Sequence, residues 1–539
     1  MRPWHRVLTT AFVVGLVTIV AGAASAGRYE EALRTLDFGP DPLARSARLL
    51  GMGRLTLLGD DPHNQITLWD FAANPIGIAE DDSTSTFELR PATAAHSEVR
   101  DPFSDNTHFE RQTMAGNEYR VGYEGWRRPA EGTAYGATGD FGVLRLDQPY
   151  GEFSERRSSL SDPNVEAVIT GRVPWVLKSP RWRYALRAMV IKETSIDEYR
   201  SFVVNPTGEY LDRNGALLDQ PEFLIPNQYD VLTMGGGLAL GYHAGRVLQA
   251  AIGGDYLALD VEGVNDGKRY NAATHERRPV LQSQGSVTGK IGQHLEYGAD
   301  GRVWSATSSP TWDFSISAGI GQDPMVGRGD LYDRKEFGSL FHSRVRWVQG
   351  PFEIGAGMNT TYGRVTVTPP NNSPSTFNDF LNTIYVRPNA DSLALPDSVV
   401  YNRSDRRARE FSGGIGWHLG RGMIGVEVHS GRDDLAQTIS GNGPLREYTE
   451  VRGGLEVGLT RSIQGRLGGL VRTDDLDTFT YGNKYKGNGM TLGLGIHPTR
   501  SSWGFDVGYQ AFWYRISDGD PTQQRGSRQQ FLSQLRWAL

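Results

Sequence analysis

Cysteine is absent from the 539 residues of the chain. This excludes disulfide frameworks and metal sites that depend on thiolate ligands. Long hydrophobic runs are missing as well: beyond residue 26, no stretch approaches the roughly 20 apolar residues that a membrane-spanning helix requires. With a mean hydropathy of -0.43, the chain is not a helical membrane protein.

A dominant charge of either sign is also lacking, since the formal net charge is -6 and acids and bases are mixed along the chain. Proteins that bind nucleic acid usually carry a basic stripe, so nucleic acid is not expected as a partner. The histidines are scattered, and neither a Gly-x-Ser-x-Gly elbow nor a phosphate-binding loop occurs. We therefore expect no catalytic residue, no metal, no cofactor and no enzymatic activity.

The first residues, 1–26, have the pattern of a secretory signal peptide. A basic start at residues 2–6 precedes an apolar stretch, and Ala24-Ser25-Ala26 forms a small-x-small cleavage site. A retained membrane anchor is the alternative interpretation. The mature chain is expected to begin near Gly27, which predicts an exported protein.

The stretch from Glu410 to Arg472 contains four runs in which side-chain character changes at every residue. Between residues 424 and 429, for example, isoleucine and valine alternate with Gly425, Glu427 and His429. A period of two over about ten residues predicts β-strands with one apolar and one polar face. The same rhythm recurs from about residue 117 to the end of the sequence.

We predict an all-β fold, a transmembrane antiparallel β-barrel over residues 116–539. Runs of about ten residues match a tilted strand that crosses a bilayer, whereas strands of a soluble sandwich are usually shorter. Tight turns alternate with longer connections, the longest at 193–230 and 365–407. This alternation breaks between about 290 and 338, so the strand number is predicted only as a range. We expect an even number of roughly 14 to 18 strands and favour 14 or 16.

Charged residues occupy the positions opposite the apolar ones. On a lipid-facing side each arginine would cost about 2–4 kcal/mol at the bilayer centre, so these side chains should point into the lumen. They either line a polar passage or pair into a lattice that braces the wall and grips a plug, and acids and bases at matching depths favour the lattice. The predicted lumen-facing residues are Arg183, Arg187, Arg344, Arg346, Glu353, Glu427, Glu450, Arg452, Glu456, Arg466 and Arg472.

Residues 27–115 lack sustained alternation and are rich in turn formers, which predicts an N-terminal plug or hatch segment. Glycines in this segment allow a close backbone approach or positive φ, and its Asp and Asn residues cap and turn the chain. The candidate hatch motif comprises Gly51, Met52, Gly53, Asp60, Asp61, Asn74 and Pro75.

This motif resembles the N-terminal hatch of the long-chain fatty acid transporter family of outer-membrane barrels. The same broad group takes in the outer-membrane shuttle proteins of a bacterial surface-secretion system. The pattern departs at Arg54, where a small residue is usual, and at Ile76, which replaces the alanine after Asn-Pro.

The resemblance and the barrel pattern together imply a bacterial outer-membrane protein that passively transports a hydrophobic or amphipathic small molecule. The alternative is a barrel without a transport role that binds or shuttles a surface protein through its long outer loops. The alternating strand at the C-terminal end resembles the signal that directs barrels to their insertion machinery. Expected partners are therefore outer-membrane lipid, that machinery during biogenesis, and either a hydrophobic small molecule or a surface protein.

Overall fold

The structure is a computed structural model that describes most of the chain in segments. The described residues are 46–58, 84–99, 112–130, 133–149, 154–161, 163–173, 181–201, 203–204, 210–211, 217–218, 223–245, 247–266, 270–316, 325–330, 333–368, 402–437, 441–442, 445–477, 482–499, 501–517 and 523–538. Among these residues, no helix is long and apolar enough to cross a membrane. The predicted signal peptide lies outside the described residues.

One short helix and a series of long strands make up the described fold. The helix is α1, Ala47–Gly51. The strands are β1 Thr84–Val99, β2 Gln112–Ala130, β3 Thr133–Pro149, β4 Ser154–Ser161, β5 Asn164–Arg172, β6 Trp182–Ser201, β7 Val203–Val204, β8 Tyr210–Leu211, β9 Leu217–Leu218, β10 Phe223–His243, β11 Gln249–Asp266, β12 Tyr270–Ile291, β13 Leu295–Ser308, β14 Thr311–Ile316, β15 Met325–Asp330, β16 Asp333–Gln349, β17 Phe352–Thr368, β18 Asn402–Leu419, β19 Gly422–Gln437, β20 Gly441–Asn442, β21 Leu445–Gly458, β22 Ile463–Asp477, β23 Gly482–Ile496, β24 Trp503–Ser517 and β25 Gln523–Ala538.

The strands form one closed antiparallel barrel, which confirms the predicted fold class. The ladder closes where β1 pairs with β25, with Thr84 opposite Ala538. β4 and β5 continue one wall strand, as do β13 and β14, and β15 and β16, while β20 only adds to the edge of β19. The wall therefore has 18 strands, which is within the predicted range but above the favoured 14 or 16.

The two faces of the wall differ sharply in chemistry. On β19, the side chains of Val426 and Val428 are 44% and 45% exposed, while Glu427 between them is fully buried. On β18, Ile415 and Trp417 point outward at 65% and 48% exposure. Alternation within each strand places the apolar set outside and the charged set inside. The outer surface is thus apolar, as contact with lipid requires.

The wall begins earlier than the sequence indicated. β1 starts at Thr84, inside the segment 27–115 that was assigned to the plug, and the predicted boundary at residue 116 falls within β2. Only Phe87 and Leu89 alternate as large apolar residues in β1 before Pro91 and small residues follow. The local pattern is therefore too short to mark a strand, and pairing with β2 and β25 decides its place.

The irregular region between 290 and 338 has a physical cause. β13 and β14 run in line against β12, and the break between them contains Pro310, which has no N–H for the ladder. β15 and β16 form the neighbouring wall strand. Relative to the pairing of β13 with β16, the pairing of β14 with β15 is shifted by one residue, as at a β-bulge. β14 is therefore the continuation of β13 and not a separate wall strand.

Most predicted long connections are shorter in the structure, because the strands are longer. β11 runs to Asp266 and β12 begins at Tyr270, so only three residues lie between these two strands. β6 and β10 likewise take up both ends of 193–230. Beyond the apolar band the residues are polar on both faces, so the alternation disappears although backbone pairing continues.

The outward face can be tested at Val428, which lies within the apolar band of β19. Replacing Val428 by Arg should lower the free energy of unfolding in a lipid bilayer by about 2–4 kcal/mol if the position is near the bilayer centre. Val428→Leu is the matched control and should change stability by less than about 1.5 kcal/mol. Denaturant titration of the protein in liposomes measures both. Equal stabilities of the two variants would contradict the assignment of the faces.

Candidate functional site

Residues 46–58 lie inside the barrel, near the end that carries the short turns; we call them the inner segment. Ser46 caps α1 by accepting a hydrogen bond from the Leu49 N–H at 3.3 Å. The chain then turns through Gly53 and Arg54, whose φ angles are 73° and 64°. On either side of this turn, apolar side chains of the segment point at the wall. Met423 of β19 packs with four of them, those of Met52, Leu55, Leu57 and Leu58.

The inner segment lies against inward-facing glycines on consecutive wall strands; we call these the glycine track. A Cβ added to Gly454 would lie 2.1 Å from the Met52 carbonyl oxygen, and one added to Gly468 would lie 2.2 Å from the Gly53 nitrogen. Side chains at these positions would hold the segment away from the wall. The track comprises Gly508, Gly493, Gly468, Gly454, Gly425, Gly414, Gly357 and Gly355, on β24, β23, β22, β21, β19, β18 and β17.

The Gly-Met-Gly element of the hatch motif has a direct structural role in this contact. A Cβ on Gly51 would lie 2.8 Å from the Gly493 Cα, so two glycines meet backbone to backbone. At Gly53, both the positive φ and the space of only 2.2 Å to the Gly453 carbonyl oxygen require glycine. Asp60, Asp61, Asn74 and Pro75, the rest of the candidate motif, lie outside the described residues.

The carboxylate of Glu427 holds the C-terminal half of the inner segment. It accepts hydrogen bonds from the backbone N–H groups of Thr56, Leu57 and Leu58 at 2.7–3.0 Å. The Thr56 hydroxyl donates to the same carboxylate at 3.3 Å, and His429 Nε2 lies 3.0 Å from it. Consecutive backbone N–H groups that converge in this way form an anion-binding nest, here occupied by a side chain of the wall.

An ion-pair chain holds the N-terminal half. Arg48 of α1 makes two hydrogen bonds of 2.8 Å to Glu456, a bidentate arrangement. Glu456 also accepts from Arg466 at 2.8 Å, and Arg466 pairs with Asp506 of β24. These guanidinium and carboxylate groups are almost fully buried, so each charge requires its partner.

Further wall groups satisfy the backbone of the inner segment. Arg452 donates to the Arg54 carbonyl oxygen at 3.0 Å, and Arg344 donates to the Thr56 carbonyl oxygen at 3.3 Å. The Thr491 hydroxyl accepts from the Gly53 N–H at 2.8 Å and donates to the Gly51 carbonyl oxygen at 3.0 Å. Four of the predicted lumen-facing residues, Arg344, Glu427, Arg452 and Glu456, therefore bind the inner segment directly.

The other predicted lumen-facing residues pair within the wall. Arg346 binds Glu296 at 2.5 Å and Glu353 at 3.2 Å, and Glu353 also pairs with His418. Around β21 and β22, Glu450 pairs with Arg452 at 2.6 Å and with Arg472 at 3.0 Å. Arg187 pairs with Glu166 at 2.9 Å and with Asp255 at 3.3 Å, while Arg183 is buried at 3% exposure.

His418 of β18 and His429 of β19 contact different carboxylates. His418 lies at the short-turn end opposite Met423 and contacts Glu353, whereas His429 lies deeper between Glu427 and Glu410. Over the described ranges, no group of three or more His, Asp or Glu residues is placed to hold a metal ion. Around the inner segment, the barrel interior is thus a lattice of opposite charges.

Sequence reasoning missed an apolar cluster on the inner face of the barrel. Its members are at most 5% exposed and come from wall strands other than those under the inner segment. In β11 the signal was the unbroken run Tyr256-Leu257-Ala258-Leu259, which is apolar on both faces. We call the following residues the inner apolar cluster: Met189, Leu257, Leu259, Val280, Trp304 and Ala306.

Comparisons with known proteins find fold-level likeness alone. No protein-family model and no curated protein matches the chain. The crystal structure of the toluene transporter TodX of Pseudomonas putida has a TM-score of 0.36 at 10% identity, covering 92% of this chain and 98% of that one. A Pseudomonas aeruginosa FadL homologue gives a TM-score of 0.32 at 10% identity, with 91% and 98% covered. The ferric citrate transporter FecA gives 0.37 at 10%, with 83% and 78% covered. Identities and scores this low carry no argument about substrate.

The nest around Glu427 predicts the behaviour of its variants. In the wild type, the three amide donors share two carboxylate oxygens, whereas Glu427→Gln leaves them a single acceptor oxygen. A hydrogen bond to a charged group contributes about 1.5–3 kcal/mol. The backbone amides of Thr56, Leu57 and Leu58 should therefore exchange hydrogen about ten-fold faster in the variant. Hydrogen exchange followed by mass spectrometry measures this. Glu447→Gln is the control, since Glu447 lies on an exposed pair with Arg432 and should leave the exchange unchanged. Equal protection in Glu427→Gln would contradict the role of the carboxylate.

The glycine track can be tested in the cysteine-free chain by cross-linking. The Leu57 Cβ lies 3.1 Å from a Cβ built on Gly355, so Leu57→Cys with Gly355→Cys should form a disulfide after a shift of a few tenths of an ångström. Adding Gly454→Ala should slow this cross-link severalfold, because the new methyl group meets the Met52 carbonyl. Gly413→Ala, with nothing within 4 Å of its Cβ, should leave the rate unchanged. Equal rates would show that the contact does not seat the segment.

Proposed function

We propose that this protein is a bacterial outer-membrane barrel that carries a hydrophobic or amphipathic small molecule passively across the membrane. The observation that supports this most strongly is the inner apolar cluster. A barrel whose interior only forms ion pairs, or only conducts ions through water, does not require buried Leu257, Leu259 and Trp304 on its inner face. The half-buried side chains of Ile191, Val231 and Leu340 pack against this cluster, and an apolar molecule that covers them gains about 25 cal/mol per Å² of apolar surface removed from water.

The remaining features of the interior are consistent with a selective path. Charges inside the wall are paired with one another, so the lumen does not present a field of one sign to a passing ion. The inner segment lies across the inner face of seven wall strands near the short-turn end, which argues against an open general pore. The apolar outer surface supports an outer-membrane location.

The second candidate is a barrel that binds a surface protein through its outer connections. The small sheet of β7, β8 and β9 supports it, because this sheet folds within the connection between β6 and β10 and not in the wall. Transport is favoured over this alternative because a surface-protein binder does not require an apolar inner wall.

An uptake experiment distinguishes the two functions. A Gram-negative host without its own uptake barrels for fatty acids and hydrocarbons is compared with the same host expressing the chain, using radiolabelled nonane and nonanoate. Expression should raise the initial uptake rate of at least one probe several-fold. Leu257→Asn should lower that rate, because it places a polar amide between Gly235 and Val280, which offer it no side-chain partner, whereas the volume-conserving Leu257→Met should retain it. Uptake equal to that of the empty host would refute transport of either class.

A further inference from the structure

Buried polar atoms without partners lie within and beside the inner apolar cluster. The indole Nε1 of Trp304 has no hydrogen-bond partner although the residue is 2% exposed. The hydroxyl of Thr233 is likewise unpartnered at 1% exposure. More than nine in ten buried polar groups in proteins are satisfied, so a donor without a partner requires an explanation, and a water or a bound group is one.

The position of Trp304 is fixed by the wall. Trp304 lies opposite Gly338 in the β13–β16 ladder, and a Cβ on Gly338 would lie 2.1 Å from the indole Cζ2 and 2.8 Å from Nε1. The indole therefore lies flat across Gly338, and only glycine at that position allows it. Leu340, two residues further along the same face of β16, packs against the cluster beside it.

The cluster has an accessible side. Ile191, Val231 and Leu340 pack against it but are only half-buried, so they form an apolar rim on the inner face. Thr233 of β10 lies directly opposite Ile191 of β6 and Leu259 of β11, so its hydroxyl lies between the rim and the cluster. The patch thus offers apolar contact along its length and contains two polar groups without a partner, the Thr233 hydroxyl and the Trp304 indole N–H.

Two cations next to the cluster are already neutralised. Arg187 pairs with Glu166 and Asp255, as described above. Arg278 binds Glu276 at 2.9 Å and lies 3.7 Å from Glu336. An anionic ligand would therefore have to displace a buried carboxylate from its arginine, which leaves that carboxylate unpaired in a low dielectric.

We propose that the inner apolar cluster binds a neutral, mostly apolar molecule with one hydrogen-bond acceptor, such as a ketone, ester or ether oxygen, and that the Trp304 indole N–H donates to that oxygen. This inference rests on the proposed function and narrows its substrate class. The ligand lies along the rim of Ile191, Val231 and Leu340, with its oxygen at the Trp304 end. A pure hydrocarbon leaves the indole N–H unpaired, and a carboxylate meets Arg187 and Arg278 already paired with acidic side chains.

Three probes of equal chain length test the proposal: nonane, 2-nonanone and nonanoate. Binding to the full chain in phosphatidylcholine nanodiscs is measured by equilibrium dialysis, with empty nanodiscs subtracted. Because nonane leaves water more readily than 2-nonanone, the binding of each probe is expressed relative to its own partition into empty nanodiscs. On that scale we expect 2-nonanone to exceed nonane about five-fold, the effect of one neutral hydrogen bond, and nonanoate to bind no better than nonane. Tighter binding of nonanoate than of 2-nonanone would overturn the proposal, as would equal binding of nonane and 2-nonanone.

Two variants locate the effect at the indole. Trp304→Phe keeps an aromatic ring but removes the N–H, so the preference for 2-nonanone over nonane should disappear while nonane binding persists. Gly338→Ala should also abolish the preference, because its methyl group displaces the indole. Leu281→Ala is the control, since Leu281 is 63% exposed on the outer face of β12 and should keep the wild-type preference. An unchanged preference in Trp304→Phe would overturn the assignment of the donor.

The proposed function and this inference fail in different ways. If nonane binds the barrel as tightly as 2-nonanone, the hydrogen-bond donor is refuted but a carrier of apolar molecules stands. If none of the three probes binds above the empty nanodisc, the apolar cluster is not a ligand site and both are refuted. Heat-dependent gel mobility of each variant confirms that its barrel is closed before binding is compared.

Discussion

The backbone of residues 46–58 lies directly against the barrel wall because the wall has no side chain where the two meet. At Gly454, Gly468 and Gly493, the inner segment occupies the space that a side-chain methyl group would fill. This contact brings main chain against main chain, so it fixes the depth and direction of the segment more closely than side-chain packing would. The position of the hatch motif, and of the charges that bind it, follows from that single steric condition.

A buried main chain brings buried polar groups with it, and the wall satisfies them. Glu427 accepts the N–H groups of three consecutive residues, while Arg344 and Arg452 donate to carbonyl oxygens of the same segment. The charge lattice therefore has a specific purpose at this end of the barrel. It supplies hydrogen bonds to a peptide that would otherwise lose its water without compensation, and its own charges cancel in pairs.

The interior is divided between two sets of strands. Strands β17 to β24 carry the glycine track and the inner segment, while β6 and β10 to β16 carry the inner apolar cluster and its rim. One set holds a peptide by backbone contact and charge. The other offers an apolar surface with an unpaired donor at Trp304. Under the proposed function, selectivity for the transported molecule and the seating of the inner segment are functions of different strands.

The sequence by itself determined the closed antiparallel barrel and the side of the wall to which residues such as Glu427 and Val428 belong. Side-chain direction alternates within a strand whatever the strand pairs with, so the two-residue period contains that information locally. Only the tertiary structure decided that Thr84–Val99 closes the ladder against β25, that β13 continues past Pro310, and that Gly454 faces Met52. The closure and the contact of Gly454 with Met52 join residues more than 400 positions apart in the chain. No local sequence pattern distinguishes a glycine that is needed because another segment packs against its backbone. The same holds for a leucine that contacts other inward-facing residues only once the barrel has closed.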